Sequence, residues 1–567
     1  MTPSPAPQAS FRDLFTPKLV TVLREGYGWR DLRTDAVAGL TVAIVALPLS
    51  MAIAIASGAT PDKGLITAIV GGFLISALGG SRFQIGGPAG AFIPLVASTI
   101  AVHGYDGLVI ATFMAGIMLV AVGFLRLGTY IKYIPYPVTV GFTAGIAVII
   151  FVSQVRDLLG LRLSGPEPPE MLHKLPVLWQ ALPTVNPVAV AIAALAIGGI
   201  LALKRWRPAV PGMLVMVALG AAATALFALP VETIGSRFGT LPTGIGFNGL
   251  PGLSLARVRE LIVPAVAFAM LGGIESLLSA VVADGMTGRR HRSNCELVAQ
   301  GVANIASALF GGLPVTGTIA RTATNVRAGA RGPVAGMAHA VFLFVFLALA
   351  GGLMSYVPLA ALAGVLAIVA WNMAEKREFA MLLRASAGDA LVLLAAFLLT
   401  VFVDLTAGIG VGIVLGSLLF MHRMAEAMAV DSKVRLLDED VADSADGHGR
   451  FDPARSADRR IVTYRLSGAF FFGAAATVAS VFDRIGDPPA VFILDMTDVP
   501  FLDTTGAYTL ESFVHKLERA GTAVVITGLR DGGRQTLAHF GIAEPRVTLA
   551  ASAEDAMRAA EARLAVT

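Results

Sequence analysis

The sequence predicts a polytopic α-helical membrane protein: fourteen transmembrane segments in a seven-plus-seven inverted repeat, one broken helix in each half, and a soluble α/β domain after them. Three observations carry the prediction. Mean hydropathy is +0.74, with 55% hydrophobic and only 14% charged residues, which excludes an ordinary soluble domain. Clusters of Arg and Lys recur after every second apolar segment. Two motifs, Gly86-Gly87-Pro88-Ala89-Gly90 and Pro314-Val315-Thr316-Gly317-Thr318-Ile319-Ala320-Arg321, interrupt apolar runs at corresponding places in the two halves. Broken backbone at membrane depth is tolerated only where protein buries it or a polar cavity receives it. The 61 Gly and 30 Pro suit close helix packing and such breaks.

The apolar segments fall near 36–58, 64–79, 84–102, 107–126, 136–155, 186–203 and 209–229 in the first half. In the second they fall near 258–282, 294–310, 318–330, 335–356, 359–373, 388–404 and 406–425. A spanning helix needs about 20 apolar residues, so the short segments at 318–330 and 359–373 are counted on the charge pattern. Arg82 follows the second segment, Arg126 and Lys132 the fourth, and Lys204, Arg205 and Arg207 the sixth. Arg289, Arg290 and Arg292 follow the eighth, Arg327 and Arg331 the tenth, Lys376, Arg377 and Arg384 the twelfth, and Arg423 and Lys433 the last. All of these share one face with both termini, which the positive-inside rule assigns to the cytoplasm of a multi-pass inner (plasma) membrane protein. Lys63 is the exception. The loops near 156–185 and 230–257, rich in Pro and Gly and mixed in charge, read as external. Arg12, Lys18, Arg24 and Arg30 flank no apolar core, so no cleavable signal peptide is expected.

Seven is an odd number, so a second copy enters the membrane inverted, the design of secondary transporters. The expected domains are a cytoplasmic segment, 1–34, a transport domain, 35–428, with repeats at about 35–205 and 255–428, a charged linker, 429–460, and a soluble domain, 461–567. In the last, Ile461–Leu466, Val491–Asp495 and Ala523–Thr527 read as strands, with helical patterns at about 473–485 and 505–520.

Each fresh helix after a break directs unpaired N–H groups and partial positive charge into the gap. Two such ends and one arginine make a place for an anion, so the chain is expected to move an anion across a membrane. Gly87, Ala89, Gly90 and Ala91 let an anion approach bare amides; the alternative for this Gly-Pro pair is a simple kink. Thr316 and Thr318 are expected to cap the second half-helix and contact ligand, alongside Gly317 and Ala320. Arg321 offers bidentate recognition of an oxyanion, or else only neutralises a buried acid. That acid is Glu275, deep in the eighth segment, with Ser279 one turn on along the same face. A carboxylate there costs roughly 2.5–3.5 kcal/mol, and desolvation disfavours its charged form, which suits a group that takes up and releases a proton. The bland alternative is a carboxyl hydrogen-bonded to a neighbouring helix for structure alone. Asp284 and Asp404 read as interfacial, and His339 as a packed histidine. Cys295 is the only cysteine, and no hydrolase triad, P-loop or metal-ligand cluster is present, so neither an enzyme nor a resident cofactor, metal or nucleic-acid partner is expected.

Asp35–Pro48, Gly86–Pro88, Glu275 with Asp284–Gly288, Gln300–Asn304 and Pro314–Asn325 resemble the SulP anion transporters over almost the whole chain. The C-terminal domain resembles that family's STAS module, with Leu502–Gly506 as its signature turn. The resemblance implies core and gate domains, a homodimer in membrane lipid, and an anion held between the third and tenth helix ends and carried by an elevator-like movement of the core. It also implies that Glu275 couples transport to a proton rather than to sodium. Leu49 stands where many sulfate-type members carry Gln; together with Phe92 and Ile274–Leu278 it resembles the proton-coupled C4-dicarboxylate branch. A bicarbonate transporter or anion exchanger, an uncoupled channel and a membrane-bound anion sensor stay open beside the sulfate or dicarboxylate symporter. In small STAS proteins the residue matching Thr504 can be phosphorylated, whereas Thr504 also suits a helix N-cap; a cytoplasmic protein partner at the STAS domain is a further expectation.

Overall fold

The computed structural model describes residues 14–129, 135–165, 167–168, 170–207, 210–426, 429–432, 460–471 and 489–565. They form two compact units, Met1–Val414 and Leu415–Thr567.

The spans of the first half are α1 (Trp29–Ala56), α2 (Pro61–Leu78), α3 (90–103), α4 (105–124), α5 (Tyr136–Leu159), α6 (Pro187–Trp206) and α7 (Gly212–Phe227). Those of the second are α8 (Leu255–Thr287), α9 (Ser293–Leu309), α10 (Ile319–Arg327), α11 (Val334–Met354), α12 (Leu359–Met373), α13 (Ala387–Phe402) and α14 (Leu405–Glu426). Where the sequence suggests a loop between the third and fourth segments, the structure has one residue: Gly104, at φ 71, turns α3 into α4, a conformation that costs glycine little. The second span contains a π turn, Thr67–Gly71. The shortest, α10, is a half-helix of 9 residues, and α9 buries Glu296, Gln300 and Asn304 inside the protein.

Packing follows the inverted repeat. The pair α1 and α11 is mirrored by α8 and α4, and the pair α2 and α11 by α9 and α4. Likewise α5 packs on α13 as α12 packs on α6. Two helical clusters result, one of α1–α4 with α8–α11 and one of α5–α7 with α12 and α13. At the α4–α9 crossing, a Cβ on Gly116 would lie 2.7 Å from the Gly301 carbonyl oxygen, and one on Gly301 2.5 Å from that of Gly116. Only glycines allow so close a passage.

In the second unit, β3 (Ala429–Ser432), β4 (Ile461–Ser467), β5 (Val491–Asp498), β6 (Ala523–Thr527) and β7 (Thr548–Ala550) form one sheet in that order, with β3 antiparallel and the rest parallel. Helices α15 (Thr504–Arg519), α16 (Asp531–His539) and α17 (Ala553–Leu564) complete it. Phe492 anchors the core between Tyr464 and Phe513, at ring distances of 5.3 and 5.1 Å. The start of the expected linker is thus an edge strand; its residues 433–459, and the helical pattern at 473–485, lie outside the described residues. The expected Thr504 cap is corrected: Asp503 caps α15, accepting the Gly506 N–H at 2.7 Å, which leaves Thr504 as an exposed first helical residue.

Candidate anion site

Breaking two helices in the membrane strands backbone groups, and the structure pairs them with each other. Gly86–Gly87 (β1) and Thr316–Gly317 (β2) form a buried antiparallel ladder, Gly86 opposite Gly317 and Gly87 opposite Thr316. The Thr318 N–H donates to the Ile85 carbonyl at 3.0 Å. Side chains of neighbouring spans take the rest. Asn304 accepts the Val315 N–H (3.0 Å) and donates to its carbonyl (2.7 Å). Thr67 accepts the Leu313 N–H at 2.6 Å, and Asn325 donates to the Phe83 carbonyl at 2.9 Å. This satisfies the rule that buried backbone polar groups find partners. Sequence reasoning assigned no role to Asn304, Asn325 or Thr67; for Asn304 the available signal was the four-residue spacing of Glu296, Gln300 and Asn304 on one face of a span.

The half-helix α10 begins without a side-chain cap. Thr318 occupies the cap position, but its hydroxyl donates to the Ile85 carbonyl (3.4 Å), and the Thr316 hydroxyl donates to the Gly272 carbonyl (3.0 Å). The expected capping by these threonines is therefore corrected, because both hydroxyls are engaged across the break. Helix geometry leaves the N–H groups of Ile319, Ala320 and Arg321 without intrahelical acceptors. On the other side Gly90, Ala91 and Phe92 form the 3₁₀ turn that opens α3, with Ala89 extended before it. A Cβ on Gly90 would lie 3.3 Å from Ile150 in α5 and 3.4 Å from the Met373 sulfur in α12. The first break therefore lies where the two helical clusters meet.

Arg321 is 2% exposed, and its Nη2 donates to the Pro88 carbonyl at 3.3 Å while Nε and Nη1 have no partner. A Cβ on Gly87 would sit 2.0 Å from Nη1, so glycine there makes room for the guanidinium. Glu275 interacts electrostatically with Arg321. Among the described residues, however, no ion pair within 4.0 Å joins them, and no hydrogen bond from a neighbouring helix reaches the Glu275 carboxylate, whose Oε2 is buried. Ser279 does not join that carboxylate: its hydroxyl donates to Thr322 at 3.0 Å, and Thr322 accepts the Ile85 N–H at 3.1 Å. It ties α8 through α10 to the first break. Gln84 adds a second tie, donating to the Ser276 carbonyl at 3.1 Å.

Of the remaining candidates, His339 is fully buried with both ring nitrogens unpartnered. Asp284 accepts the His291 backbone N–H at 2.9 Å and meets its ring at 2.7 Å, and Asp404 accepts the Ala407 N–H at 2.8 Å at the start of α14. Outside the spans, Arg82 hydrogen-bonds Glu25 and holds that carboxyl below its usual range. No group of three His, Cys, Asp or Glu able to hold a metal occurs among the described residues.

Uncapped helix ends and a buried arginine with free donors together suit an anion. Comparison with known proteins agrees with this architecture. YvdB of Bacillus subtilis, provisionally named a sulfate transporter, is 39% identical over 520 residues, 91% of this chain and 95% of its own. The bicarbonate transporter BicA of Synechocystis is 32% identical over 515 residues, 88% of this chain and 89% of its own. The fold matches the murine anion transporter Slc26a9 in its inward-facing state with a TM-score of 0.84 at 17% identity, over 99% of this chain and 96% of that one. The sulfate permease family matches residues 32–396 and the STAS domain residues 453–556. The chain therefore belongs to the sulfate permease (SulP) family of membrane anion transporters and carries a C-terminal STAS domain.

Proposed function

We propose that this transporter is a proton-coupled symporter of a small divalent oxyanion, of the sulfate and C4-dicarboxylate class. The observation that carries the reading is the meeting of two half-helix N-termini with the free Nε and Nη1 of Arg321 and the unpaired carboxylate of Glu275. Gly87, Ala89, Gly90 and Ala91 on one side and Thr316, Gly317, Thr318, Ala320 and Arg321 on the other frame the anion. A divalent oxyanion takes up donors on two sides at once. Glu275 accepts the proton: a neutral acid and a bound anion next to Arg321 leave less uncompensated charge to carry than an ionised acid and the anion together. Coupling then follows from different affinities in inward- and outward-facing states. The two helical clusters meeting at Gly90 suit an elevator in which α1–α4 and α8–α11 carry the site past α5–α7, α12 and α13. The working unit is a homodimer, and the STAS domain, through exposed Thr504, is open to a regulatory protein.

Bicarbonate is the second reading, favoured by the 32% identity to BicA. Uptake of labelled fumarate, sulfate and bicarbonate into proteoliposomes, with and without an inward proton gradient at clamped voltage, decides. Gradient-driven accumulation of fumarate or sulfate, abolished in Glu275→Gln, is the expected result. Bicarbonate uptake indifferent to the gradient would discard the coupling and the substrate class together.

A further inference from the structure

The π turn in α2 faces two ways. Its inner side holds the second break: Thr67 accepts the Leu313 N–H, and a Cβ on Gly71 would lie 2.8 Å from both Val315 methyls. The outer side of α2, with Ile69 and Val70 of the turn and Phe73 and Leu74 just after it, forms one wall of a groove of about 360 Å³. Ala306 and Phe310 of α9 and Ala340, Val341 and Phe344 of α11 complete it, and every lining residue is apolar. The groove opens away from the protein, with Val341 51% and Phe344 42% exposed. Ala340, one of its lining residues, is only 1% exposed.

Directly beyond Phe310, a Cβ on Gly311 would lie 3.5 Å from the Lys63 ammonium. Lys63 also lies over the Tyr105 ring (5.6 Å) and, among the described residues, pairs with Asp62 at 3.8 Å. This lysine is the exception to the charge pattern: it lies on the face opposite the basic loops. A slot lined only by hydrocarbon, at membrane depth, with a cation at its lip, has the chemistry of one occupant. We propose that it is a specific site for a phospholipid of the leaflet on the Lys63 side, with an acyl chain between α2, α9 and α11 and the phosphate against Lys63. Through the π turn, a form of helix often found at functional positions, the bound chain stiffens the segment leading into the second break.

The test needs no transport assay, so it stands or falls separately from the substrate reading. Full-length protein, stripped of lipid in detergent, is titrated with phosphatidylglycerol while hydrogen exchange is followed at residues 313–318 and retained lipid is counted by native mass spectrometry. The expected result is at least threefold slower exchange at 313–318 on lipid addition, and one phospholipid retained per chain. Val341→Trp, which fills the slot from its exposed side, should abolish both. Lys63→Gln should weaken retention at least fivefold without changing the thermal midpoint. Unchanged exchange on lipid addition, equal retention in Val341→Trp, or a slot closed by a second copy of the chain in crosslinking would each overturn the proposal.

Discussion

The first break, Gly86–Gly90, brings backbone and no polar side chain to the junction, whereas the second, Thr316–Arg321, brings two hydroxyls and a guanidinium. The two meet in one short ladder, yet they serve it differently. The first is held through the segment leading into it: Thr322 takes the Ile85 N–H, Asn325 the Phe83 carbonyl, and Gln84 itself reaches to α8. The second supplies chemistry and is itself pinned by Asn304 and Thr67. Gly87 shows why the division is forced. The space a side chain would fill there is occupied by Arg321, so one break must be bare for the other to be charged. Substitutions in the first break should therefore act by shape, and those in the second by charge and hydrogen bonding.

The largest effect tests the charged side of this contrast. Arg321→Ala removes the guanidinium that reaches the junction, and hydrogen bonds to charged groups contribute about 1.5–3 kcal/mol. Anion binding, followed by isothermal titration with the preferred substrate, should weaken about 100-fold while the thermal midpoint holds or rises, since an unpaired buried cation is lost. Binding that survives intact would reassign Arg321 to charge balance alone.

Next comes the shape-governed side. Gly87→Ala places a methyl 2.0 Å from Nη1 of Arg321, an overlap that backbone and guanidinium must share. Overpacking of this kind costs about 1–3 kcal/mol, so uptake should fall about 10-fold. The two breaks predict a coupling here. In an Arg321→Lys background, which removes Nη1, Gly87→Ala should cost markedly less than in the parent, and a double-mutant cycle reads the difference. Additive losses would mean that the breaks do not act as one site.

Much of this arrangement was legible in the sequence, for identifiable reasons. Hydropathy and the alternation of basic clusters report spans because lipid punishes exposed polarity, and the structure places helices at all fourteen expected segments. Gly-Pro and Thr-Gly-Thr mark breaks because proline lacks an N–H and glycine and threonine favour a helix weakly. What escaped were partners set by tertiary approach. Thr316 and Thr318 have the right residue type for capping, but carbonyls of Gly272 and Ile85, distant in sequence, claim their hydroxyls. Ser279 shares a helical face with Glu275, yet Thr322 claims it. In the STAS domain, one residue of register moved the cap from Thr504 to Asp503.

A third test concerns the support of the second break. Asn304→Ala strands both polar groups of Val315 away from water, and each buried orphan costs about 1–3 kcal/mol. Thermal unfolding in detergent should show a clearly lowered midpoint, and uptake should fall less than in Gly87→Ala because no group facing the anion is lost. Asn304→Asp keeps the acceptor for the Val315 N–H but loses the donor to its carbonyl, and should lie between parent and alanine variant.

The smallest effect separates positioning from chemistry on α8. Ser279 and Glu275 are one turn apart, so a shared role in proton coupling and a role in bracing α10 both follow from their spacing. The observed bond runs from Ser279 to Thr322, and Thr322 in turn accepts the Ile85 N–H of the first break. Ser279→Ala removes one neutral hydrogen bond, worth about 1 kcal/mol, while Thr322 keeps its backbone partner. Uptake should drop no more than about fivefold, and its pH profile should keep the parent midpoint. Glu275→Gln in the same assay should lose the pH dependence altogether. A shifted pH midpoint in Ser279→Ala would place the hydroxyl in the proton's path and make α8, rather than the bare first break, the second source of side-chain chemistry at the junction.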